Sequence, residues 1–226
     1  MPALPFDIVG FDLDGTLLDT SADLAGALNH ALSLVGRAPL TVPQVMPMVG
    51  RGVRILLERG LEATGGGDPD MVAQLLPELI AYYEAHIADG SMPYPGLIAA
   101  LDALEAEGVA LAIVTNKLER LAVKLIAAMG LAHRFRTVIG GDTMGPGNAK
   151  PSATPILEMI RRCGGGRAAF VGDSIFDIEA ARNAGVPAIA VSFGFPIQPI
   201  EELRADAVID HFDALVPTLQ RMGADA

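Results

Sequence analysis

From residue 94 onward, short apolar segments alternate with longer amphipathic ones, and this alternation limits the possible folds more than any other feature of the sequence. The short segments predict β-strands at 109–114, 137–139, 168–171 and 188–191, with a weaker one at 207–209. The longer segments predict helices near 96–106, 118–129, 154–162, 175–184 and 215–221. Strands and helices that alternate in this way form a parallel sheet covered by helices on both faces.

One more strand and a helical stretch precede this region. Residues 6–13, FDIVGFDL, predict a short buried strand that leads into a turn at Gly15. From about 21 to 92 no segment predicts a good strand. Helices are expected there near 22–35, 53–61 and 68–88, the last divided or bent by Pro77.

These elements divide the chain into two predicted domains. An α/β core is expected over 1–18 and 93–226, with a helical domain at 19–92 inserted after the first strand. A length of 226 residues is sufficient for one core and a smaller partner domain. Hydrophobic residues make up 51% of the chain and charged residues 19%, so the chain can bury a real core and is not wholly disordered.

Charge and composition argue against several functional classes. Lysine and arginine total 16 against 27 aspartates and glutamates, a net charge of −11 without a local basic stripe, so nucleic acid is not an expected partner. The single cysteine, Cys163, can form no disulfide within the chain, which fits a reducing cytoplasm. No apolar run approaches the ~18 residues of a membrane helix, and residues 1–11 do not read as a secretory signal. We therefore expect a cytoplasmic protein without a membrane partner.

Two aspartates follow the first predicted strand directly. Asp12 and Asp14 stand two residues apart in the sequence DLDGT, where that strand ends. Ligands of open α/β sheets bind at the carboxyl ends of the strands. A turn that favours aspartate for local hydrogen bonds explains one of the two, but two like charges at a buried strand end carry a cost that such a turn leaves unexplained. The pair therefore indicates a functional site.

Polar residues from two later segments are expected at the same edge. Thr115 and Asn116 end the strand at 109–114, where Asn116 taken alone is equally well explained as a helix N-cap. Lys150 stands beside Pro151 near the start of a helix, where its charge opposes the helix dipole. Lys150 therefore needs either solvent or an anion.

A third carboxylate follows the strand at 168–171. Asp173 ends this strand, and Ser174 and Asp177 have the spacing of a helix capping box. The capping box explains Asp177 without any function, but it leaves Asp173 unexplained.

The converging residue types suit phosphoryl chemistry. Three carboxylates at one point suggest a hard cation with oxygen ligands, for which Mg²⁺ is the expected choice. A lysine and a hydroxyl donor beside it suit a phosphoryl group. One carboxylate can attack phosphorus, while a neighbouring carboxyl donates a proton to the leaving group and then activates water. The cation would offset the repulsion between these acids and a phosphate ester.

These residues resemble the four motifs of the haloacid dehalogenase superfamily of phosphotransferases. Residues 12–16 match the first motif, Thr115 the second, Lys150 the third and residues 172–177 the fourth. Four motifs in the right order are a specific signal, whereas an isolated D-x-D is a weak one. Over nearly the whole chain the sequence is similar to the phosphoglycolate phosphatases of that superfamily, through DLDGTLLDT, VGRG with LLERGL, VTNK, VIGGD and FVGDSIFDIEAARNAG. The resemblance implies a Rossmann-like core with an inserted all-helical cap.

The resemblance also implies a role for each motif residue. Asp12 would be the nucleophile and Asp14 the general acid and base. Mg²⁺ would be held by the side chains of Asp12 and Asp173 and the backbone carbonyl of Asp14, with Asp177 at or beside the metal. The phosphoryl oxygens would be bound by Thr115, the backbone at Asn116, and Lys150.

The cap turn at 50–52 is where the sequence departs from the phosphatases it resembles. Those proteins have V-G-N-G at this turn, and here Arg51 replaces the asparagine. Backbone N–H groups from Gly50 onward, together with the Arg51 side chain, are predicted to bind an anionic group of the substrate. Because long cationic side chains are usually exposed, Arg51 and Arg54 could equally be solvated. Ala153, in place of a usual second proline after Lys150, lies outside the chemistry.

The predicted function is a Mg²⁺-dependent phosphomonoester hydrolase that acts on a small phosphorylated metabolite through an aspartyl phosphate. The first candidate substrate is 2-phosphoglycolate. The alternatives are a phosphatase for another small sugar or acid phosphate, or phosphoryl transfer like that of beta-phosphoglucomutase. A dehalogenase is disfavoured because that branch lacks the residue equivalent to Asp14, and a non-enzymatic protein would typically have lost a motif residue. The sequence leaves open whether the chain is a monomer or a homodimer.

Overall fold

The predicted strands pair in parallel to form a six-stranded central sheet. The structure, a computed structural model, describes residues 4–195 and 197–224. In chain order the sheet contains β1 (Ile8–Phe11), β4 (Ala110–Val114), β5 (Phe135–Ile139), β6 (Ala168–Gly172), β7 (Ala188–Val191) and β8 (Ala207–Ile209). Their order across the sheet is β5-β4-β1-β6-β7-β8, and every neighbouring pair is parallel. The predicted α/β sheet is therefore confirmed.

Helices cover both faces of this sheet. Side chains alternate between the faces, so that Val9 and Phe11 of β1 belong to one buried cluster and Ile8 to the other. A strand buried on both faces needs an almost continuous apolar sequence, which is the pattern that β1 shows. The flanking helices are α5 (Leu97–Ala106), α6 (Glu119–Ala128), α7 (Thr154–Arg162), α8 (Ile175–Asn183) and α9 (Leu215–Ala224).

A group of helices separates β1 from β4 along the chain. They are α1 (Ser21–Leu34), α2 (Val42–Val45), α3 (Val53–Ala63) and α4 (Pro69–Ala85), and we refer to them together as the cap. Helix α1 packs against α2, α3 and α4. The cap is held together by apolar side chains from α1, α3 and α4, with Leu28, Leu57 and Leu79 fully buried.

Two details of the cap differ from the sequence prediction. Helix α4 runs through Pro77 and ends at Ala85, so Pro77 does not divide this helix, and a bend at Pro77, the other expectation, stays a prediction. An internal proline costs roughly 3 kcal/mol, but α4 buries one face through Val72, Leu75 and Tyr83, and this packing offsets the cost. The sequence also did not predict the four-residue helix α2, which has a proline in its first turn.

A short antiparallel ribbon lies where the chain enters and leaves the cap. Strands β2 (Leu18–Asp19) and β3 (Met92–Pro93) pair there, and the sequence analysis did not predict them because two residues are too short for an apolar pattern. The buried Asp23 of α1 accepts hydrogen bonds from the Gly90 backbone nitrogen at 2.8 Å and from Ser91 Oγ at 2.6 Å. The ribbon coincides with the predicted boundaries after residues 18 and 92, and the division into two domains stays a prediction. Within the described ranges, no helix is both long and apolar enough to cross a membrane.

Candidate active site

The order of the strands brings the predicted polar residues to one edge of the sheet. Strand β1 lies between β4 and β6, and Asp12 follows β1 directly. Thr115 follows β4 and Asp173 follows β6. All three side chains are buried, at the carboxyl ends of adjacent parallel strands.

Lys150 joins this edge from the loop that precedes α7. Its Nζ lies 2.9 Å from Asp12 Oδ1 and 2.5 Å from Asp177 Oδ1, and its side chain is almost completely buried. Burial by itself would lower the pKa of Lys150, but the carboxylates of Asp12 and Asp177 raise it above its ordinary value. The Lys150 backbone is held as well, since its N–H donates to Asn116 Oδ1 at 2.9 Å. Lys150 is therefore a buried cation and not the solvated lysine that the sequence left as an alternative.

Three carboxylates form a compact acidic cluster around this lysine. Oxygen atoms of Asp12, Asp173 and Asp177 lie within 4.8 Å of one another. Burial raises the pKa of Asp12 to about 6, although Lys150 acts in the opposite direction. Burial and the two neighbouring carboxylates also raise the pKa of Asp173. One lysine does not balance three buried acids, so the cluster suits a hard divalent cation with oxygen ligands.

The capping box predicted at the start of α8 is present. Asp177 Oδ2 accepts hydrogen bonds from the Ser174 backbone nitrogen at 3.0 Å and from Ser174 Oγ at 2.6 Å. Its other oxygen contacts Lys150. Asp177 thus serves the helix start and belongs to the acidic cluster, while its hydrogen bonds fix its orientation.

Close backbone approach holds Asp173 in place. Its two oxygens accept hydrogen bonds from Thr16 Oγ1 at 3.1 Å and from the Phe195 backbone nitrogen at 2.8 Å. At Gly15, where φ is +83°, a Cβ atom would lie 2.4 Å from Asp173 Oδ2, and at Gly194 it would lie 2.3 Å from Asp173 Cβ. Both positions therefore require glycine.

Asp14 points to a different set of partners from Asp12. Lys117 Nζ lies 2.8 Å from both Asp14 carboxylate oxygens, and Thr20 Oγ1 donates to Asp14 Oδ1 at 2.7 Å. The Asp14 side chain thus lies outside the group formed by Asp12, Asp173 and Asp177. The metal role that the resemblance implies for Asp14 concerns its backbone carbonyl, and that role stays a prediction.

Lys117 is a residue that the sequence analysis missed. It is the last residue of VTNK, and none of the four motifs gives it a role. Its position, two residues beyond Thr115 at a strand end, was the available signal. Burial by itself would lower the pKa of Lys117, but Asp14 raises it above its ordinary value, so this buried side chain stays charged.

A cavity lies between the edge of the sheet and the cap. The core contributes polar groups from Asp12, Asp14, Thr115, Asn116 and Lys117. The remaining wall is mostly apolar and consists of Leu24, Val49, Gly50, Gly52, Val53, Leu56, Tyr83, Leu118 and Leu121. A small molecule that enters this cavity would contact polar groups of the core on one side and a mostly apolar surface on the other.

The turn at 50–52 contacts the core, but Arg51 does not line this cavity. Asn116 Nδ2 donates to the Gly50 carbonyl oxygen at 2.9 Å and to the Lys150 carbonyl oxygen at 3.1 Å, so Asn116 joins the turn to the Lys150 loop. Arg51 is exposed, and its guanidinium carbon lies 5.6 Å from the centre of the Phe176 ring. The structure thus brings Gly50 and Asn116 to the site and directs Arg51 to an outer groove.

Comparison with known proteins finds relatives over most of the chain. A model of the haloacid dehalogenase-like hydrolase family matches residues 9–191. The chain belongs to this family. A phosphoglycolate phosphatase of Agrobacterium fabrum is 45% identical over 212 residues, which cover 92% of this chain and 90% of that protein. One from Caulobacter vibrioides is 44% identical over 90% of this chain and 86% of its own length.

A solved structure of the family has the same overall fold. The crystal structure of a predicted phosphoglycolate phosphatase from Haemophilus somnus 129PT superposes with a TM-score of 0.88 and 30% identity. The match covers 96% of this chain and 99% of that one. This haloacid dehalogenase-like hydrolase is thus a phosphatase with the core architecture that its motifs imply.

Proposed function

We propose that this phosphatase hydrolyses 2-phosphoglycolate to glycolate and phosphate, with Mg²⁺ as cofactor and Asp12 as the nucleophile. The observation that carries the proposal is the position of Asp12. Its carboxylate faces the cavity, lies 2.9 Å from Lys150 Nζ, and shares the acidic cluster with Asp173 and Asp177. The names of the curated relatives support the choice of substrate.

Two carboxylates divide the proposed chemistry between them. An oxygen of Asp12 forms a bond to phosphorus while the bond from phosphorus to the ester oxygen breaks, which leaves an aspartyl phosphate. Asp14 donates a proton to the departing oxygen and then takes a proton from a water whose oxygen attacks phosphorus. The bond from phosphorus to Asp12 breaks in this second step, which releases phosphate and restores the Asp12 carboxylate. Asp12 pairs with Lys150 and Asp14 pairs with Lys117. The two carboxylates therefore have different charged partners, which suits one as nucleophile and the other as acid and base.

The remaining polar groups would hold the phosphoryl oxygens. The Thr115 hydroxyl, the Lys150 ammonium and the backbone at Asn116 supply donors on the core side of the site. Asp12 and Asp173, with the Asp14 carbonyl, would hold the metal. A bound Mg²⁺ would neutralise charge on the phosphate as the bond to the ester oxygen breaks. Lys150 reduces the repulsion between Asp12 and an incoming anion.

A panel of phosphomonoesters tests the proposed substrate. We expect kcat/KM with Mg²⁺ to be highest for 2-phosphoglycolate, and EDTA to abolish turnover until Mg²⁺ is restored. Glycerol phosphates, sugar phosphates and glucose 1-phosphate complete the panel. Formation of glucose 6-phosphate from glucose 1-phosphate would instead indicate a mutase, and a higher kcat/KM for a sugar phosphate would contradict the proposed substrate.

Metal-free stability should depend on pH in a defined direction. Asp12 has a folded-state pKa of about 6 against an ordinary value of 3.8, and the pKa of Asp173 is raised too. The folded protein therefore holds these protons more tightly, so their contribution to stability is lost as pH rises from about 4 through about 6. Mg²⁺ should compensate in the upper part of this range. We expect the rise in Tm on adding Mg²⁺ to be larger at pH 7.5 than at pH 5.

Thermal unfolding measured in EDTA and in Mg²⁺ between pH 5 and 8 checks this expectation. Asp173→Asn removes one of the two carboxyl groups whose pKa is raised. It should therefore flatten the pH dependence of Tm and reduce the rise in Tm on adding Mg²⁺. An Mg²⁺ effect of equal size at pH 5 and pH 7.5 in the wild-type protein would contradict a metal site at these aspartates.

Arg51→Ala separates substrate recognition from cap docking. The sequence prediction, in which Arg51 binds the substrate carboxylate, requires a ten- to hundredfold loss of kcat/KM on 2-phosphoglycolate and little change on p-nitrophenyl phosphate. Because Arg51 lies over Phe176 outside the cavity, we expect a small and equal loss on both substrates instead. A selective loss on 2-phosphoglycolate would restore the sequence prediction.

A further inference from the structure

Two buried polar residues that line the cavity make and break no bond in the chemistry assigned to Asp12 and Asp14. They are Tyr83, which carries a hydroxyl and comes from α4 of the cap, and Lys117, which carries an ammonium and comes from the core. We propose that Tyr83 and Lys117 form a subsite for a carboxylate that lies one carbon away from the phosphate ester oxygen. This inference rests on the proposed function and names the groups that would select its substrate.

Tyr83 presents an unused donor to the cavity. The residue is 2% exposed, and its hydroxyl has no hydrogen-bond partner in the described part of the chain. Buried polar groups nearly always have a partner, so an unpaired hydroxyl on a cavity wall points to one that arrives with a ligand. Burial raises the pKa of Tyr83 to about 12, so the hydroxyl keeps its proton near neutral pH and can donate it to an anion.

Lys117 adds a positive charge beside the same hydroxyl-bearing ring. An ammonium has three N–H donors, and the two oxygens of Asp14 occupy two of them at 2.8 Å. The Nζ atom lies 4.6 Å from the centre of the Tyr83 ring, so both donors serve one corner of the cavity. The Tyr83 side chain is a further neighbour of this ammonium, so a second carboxylate near Asp14 would meet the Lys117 charge and the phenolic O–H together.

The distance from Asp14 sets the length of the substrate. If Asp14 protonates the ester oxygen, that oxygen lies within hydrogen-bond reach of the Asp14 carboxylate. Lys117 contacts the same carboxylate and is therefore a neighbour of the leaving group. In 2-phosphoglycolate a single CH₂ group separates the ester oxygen from the carboxylate. A two-carbon acid can thus reach Lys117, while its phosphoryl group stays at Asp12.

The rest of the wall disfavours larger polar substrates. The cap side chains that face the cavity include Leu24, Val53 and Leu56, and none of these offers a hydrogen bond to a sugar hydroxyl. A hydroxyl buried against such a surface loses its bonds to water without replacement. The subsite therefore predicts a preference for short acid phosphates over sugar phosphates.

Binding of a phosphonate pair tests the subsite without any turnover. 3-Phosphonopropionate replaces the ester oxygen of 2-phosphoglycolate with CH₂ and cannot be hydrolysed, and propylphosphonate lacks its carboxylate. In the presence of Mg²⁺, calorimetry should show that the wild-type protein binds 3-phosphonopropionate about a hundredfold more tightly than propylphosphonate. Tyr83→Phe should reduce this preference about tenfold without lowering Tm, because the lost hydroxyl had no partner to stabilise.

Tyr82→Phe is the matched control on the same helix. The Tyr82 ring stacks between His30 and His86, at 4.3 Å from each, and it does not line the cavity. Tyr82→Phe also removes one phenolic hydroxyl, but it should leave the preference between the two phosphonates unchanged. A wild-type preference below threefold, or equal weakening of both phosphonates by Tyr83→Phe, would overturn the subsite.

Turnover of two esters tests Lys117. Because Lys117→Met also removes the cation that pairs with Asp14, it should slow the turnover of both 2-phosphoglycolate and ethyl phosphate. The informative quantity is therefore the ratio of kcat/KM for 2-phosphoglycolate to kcat/KM for ethyl phosphate. We expect this ratio to fall at least tenfold, and an unchanged ratio would overturn the role of Lys117 in recognition. If the wild-type protein prefers another ester but still binds 3-phosphonopropionate selectively, the proposed function fails while the subsite stands.

Discussion

Asp12→Asn is expected to abolish turnover, with a loss of about four orders of magnitude or more in kcat on every phosphate ester. An amide oxygen is a far weaker nucleophile than a carboxylate, so the bond to phosphorus does not form. The fold should survive, because Lys150 keeps its contact with Asp177 and the substitution removes a buried carboxyl whose pKa is already raised. Phosphate release, measured beside thermal unfolding, separates lost chemistry from lost structure.

A control variant at the opposite end of the same strand makes this test specific. Asp7 is exposed and precedes β1, where it accepts a hydrogen bond from the Arg167 backbone nitrogen. Asp7→Asn makes the same chemical change and should leave kcat within about twofold of wild type. Turnover by Asp12→Asn within tenfold of wild type, roughly 1.4 kcal/mol, would remove Asp12 from the role of nucleophile.

Lys150→Met is expected to damage both activity and metal-free stability. The side chain neutralises Asp12 and Asp177 inside the protein, so its loss leaves buried carboxylates without their cation. Breaking a buried ion pair in this way costs about 3–5 kcal/mol. In a chain of this size that corresponds to a fall in Tm of roughly 10 °C in EDTA. We expect kcat/KM to fall at least a thousandfold, since the phosphoryl oxygens lose a charged donor.

Mg²⁺ should restore part of the stability of Lys150→Met and little of its activity. A divalent cation can replace the missing charge in the acidic cluster, but it cannot place a donor where Nζ stood. Lys124→Met is the matched control, because Lys124 is exposed and its Nζ donates to the Glu84 carbonyl oxygen, far from the acidic cluster in the chain. A Lys150→Met protein that unfolds at the wild-type temperature in EDTA would show that the cluster does not need this lysine.

Most of the core and its reactive edge could be predicted from local sequence patterns. Strands β4 to β8 lie within two residues of their predicted positions, because each is a short apolar run between turn residues. Once the sheet is parallel, residues that follow its strands must meet at one edge, which is why Asp12, Thr115 and Asp173 were correctly brought together. The Ser174–Asp177 capping box is also local, since its partners are three residues apart.

Features that depend on contacts between distant segments were not predicted. Lys117 and Tyr83 come from different parts of the chain, and neither carries a sequence pattern that indicates its neighbour. Arg51 belongs to a turn whose position was expected, but the direction of its side chain depends on Phe176. Pro77 suggested a break in α4, whereas burial of that helix against α1 and α3 outweighs the local penalty.

The sequence by itself determined the α/β sheet, the set of acidic and basic groups at its edge and the reaction class that they suit. These follow from periodicity and from residue types at strand ends, which act over a few residues. Only the tertiary structure decided that Asp12 pairs with Lys150 and Asp14 with Lys117, and that Tyr83 rather than Arg51 lines the cavity. The physical reason is that charge pairing and cavity lining depend on how the cap packs on the core, and this packing joins residues that are far apart in the chain.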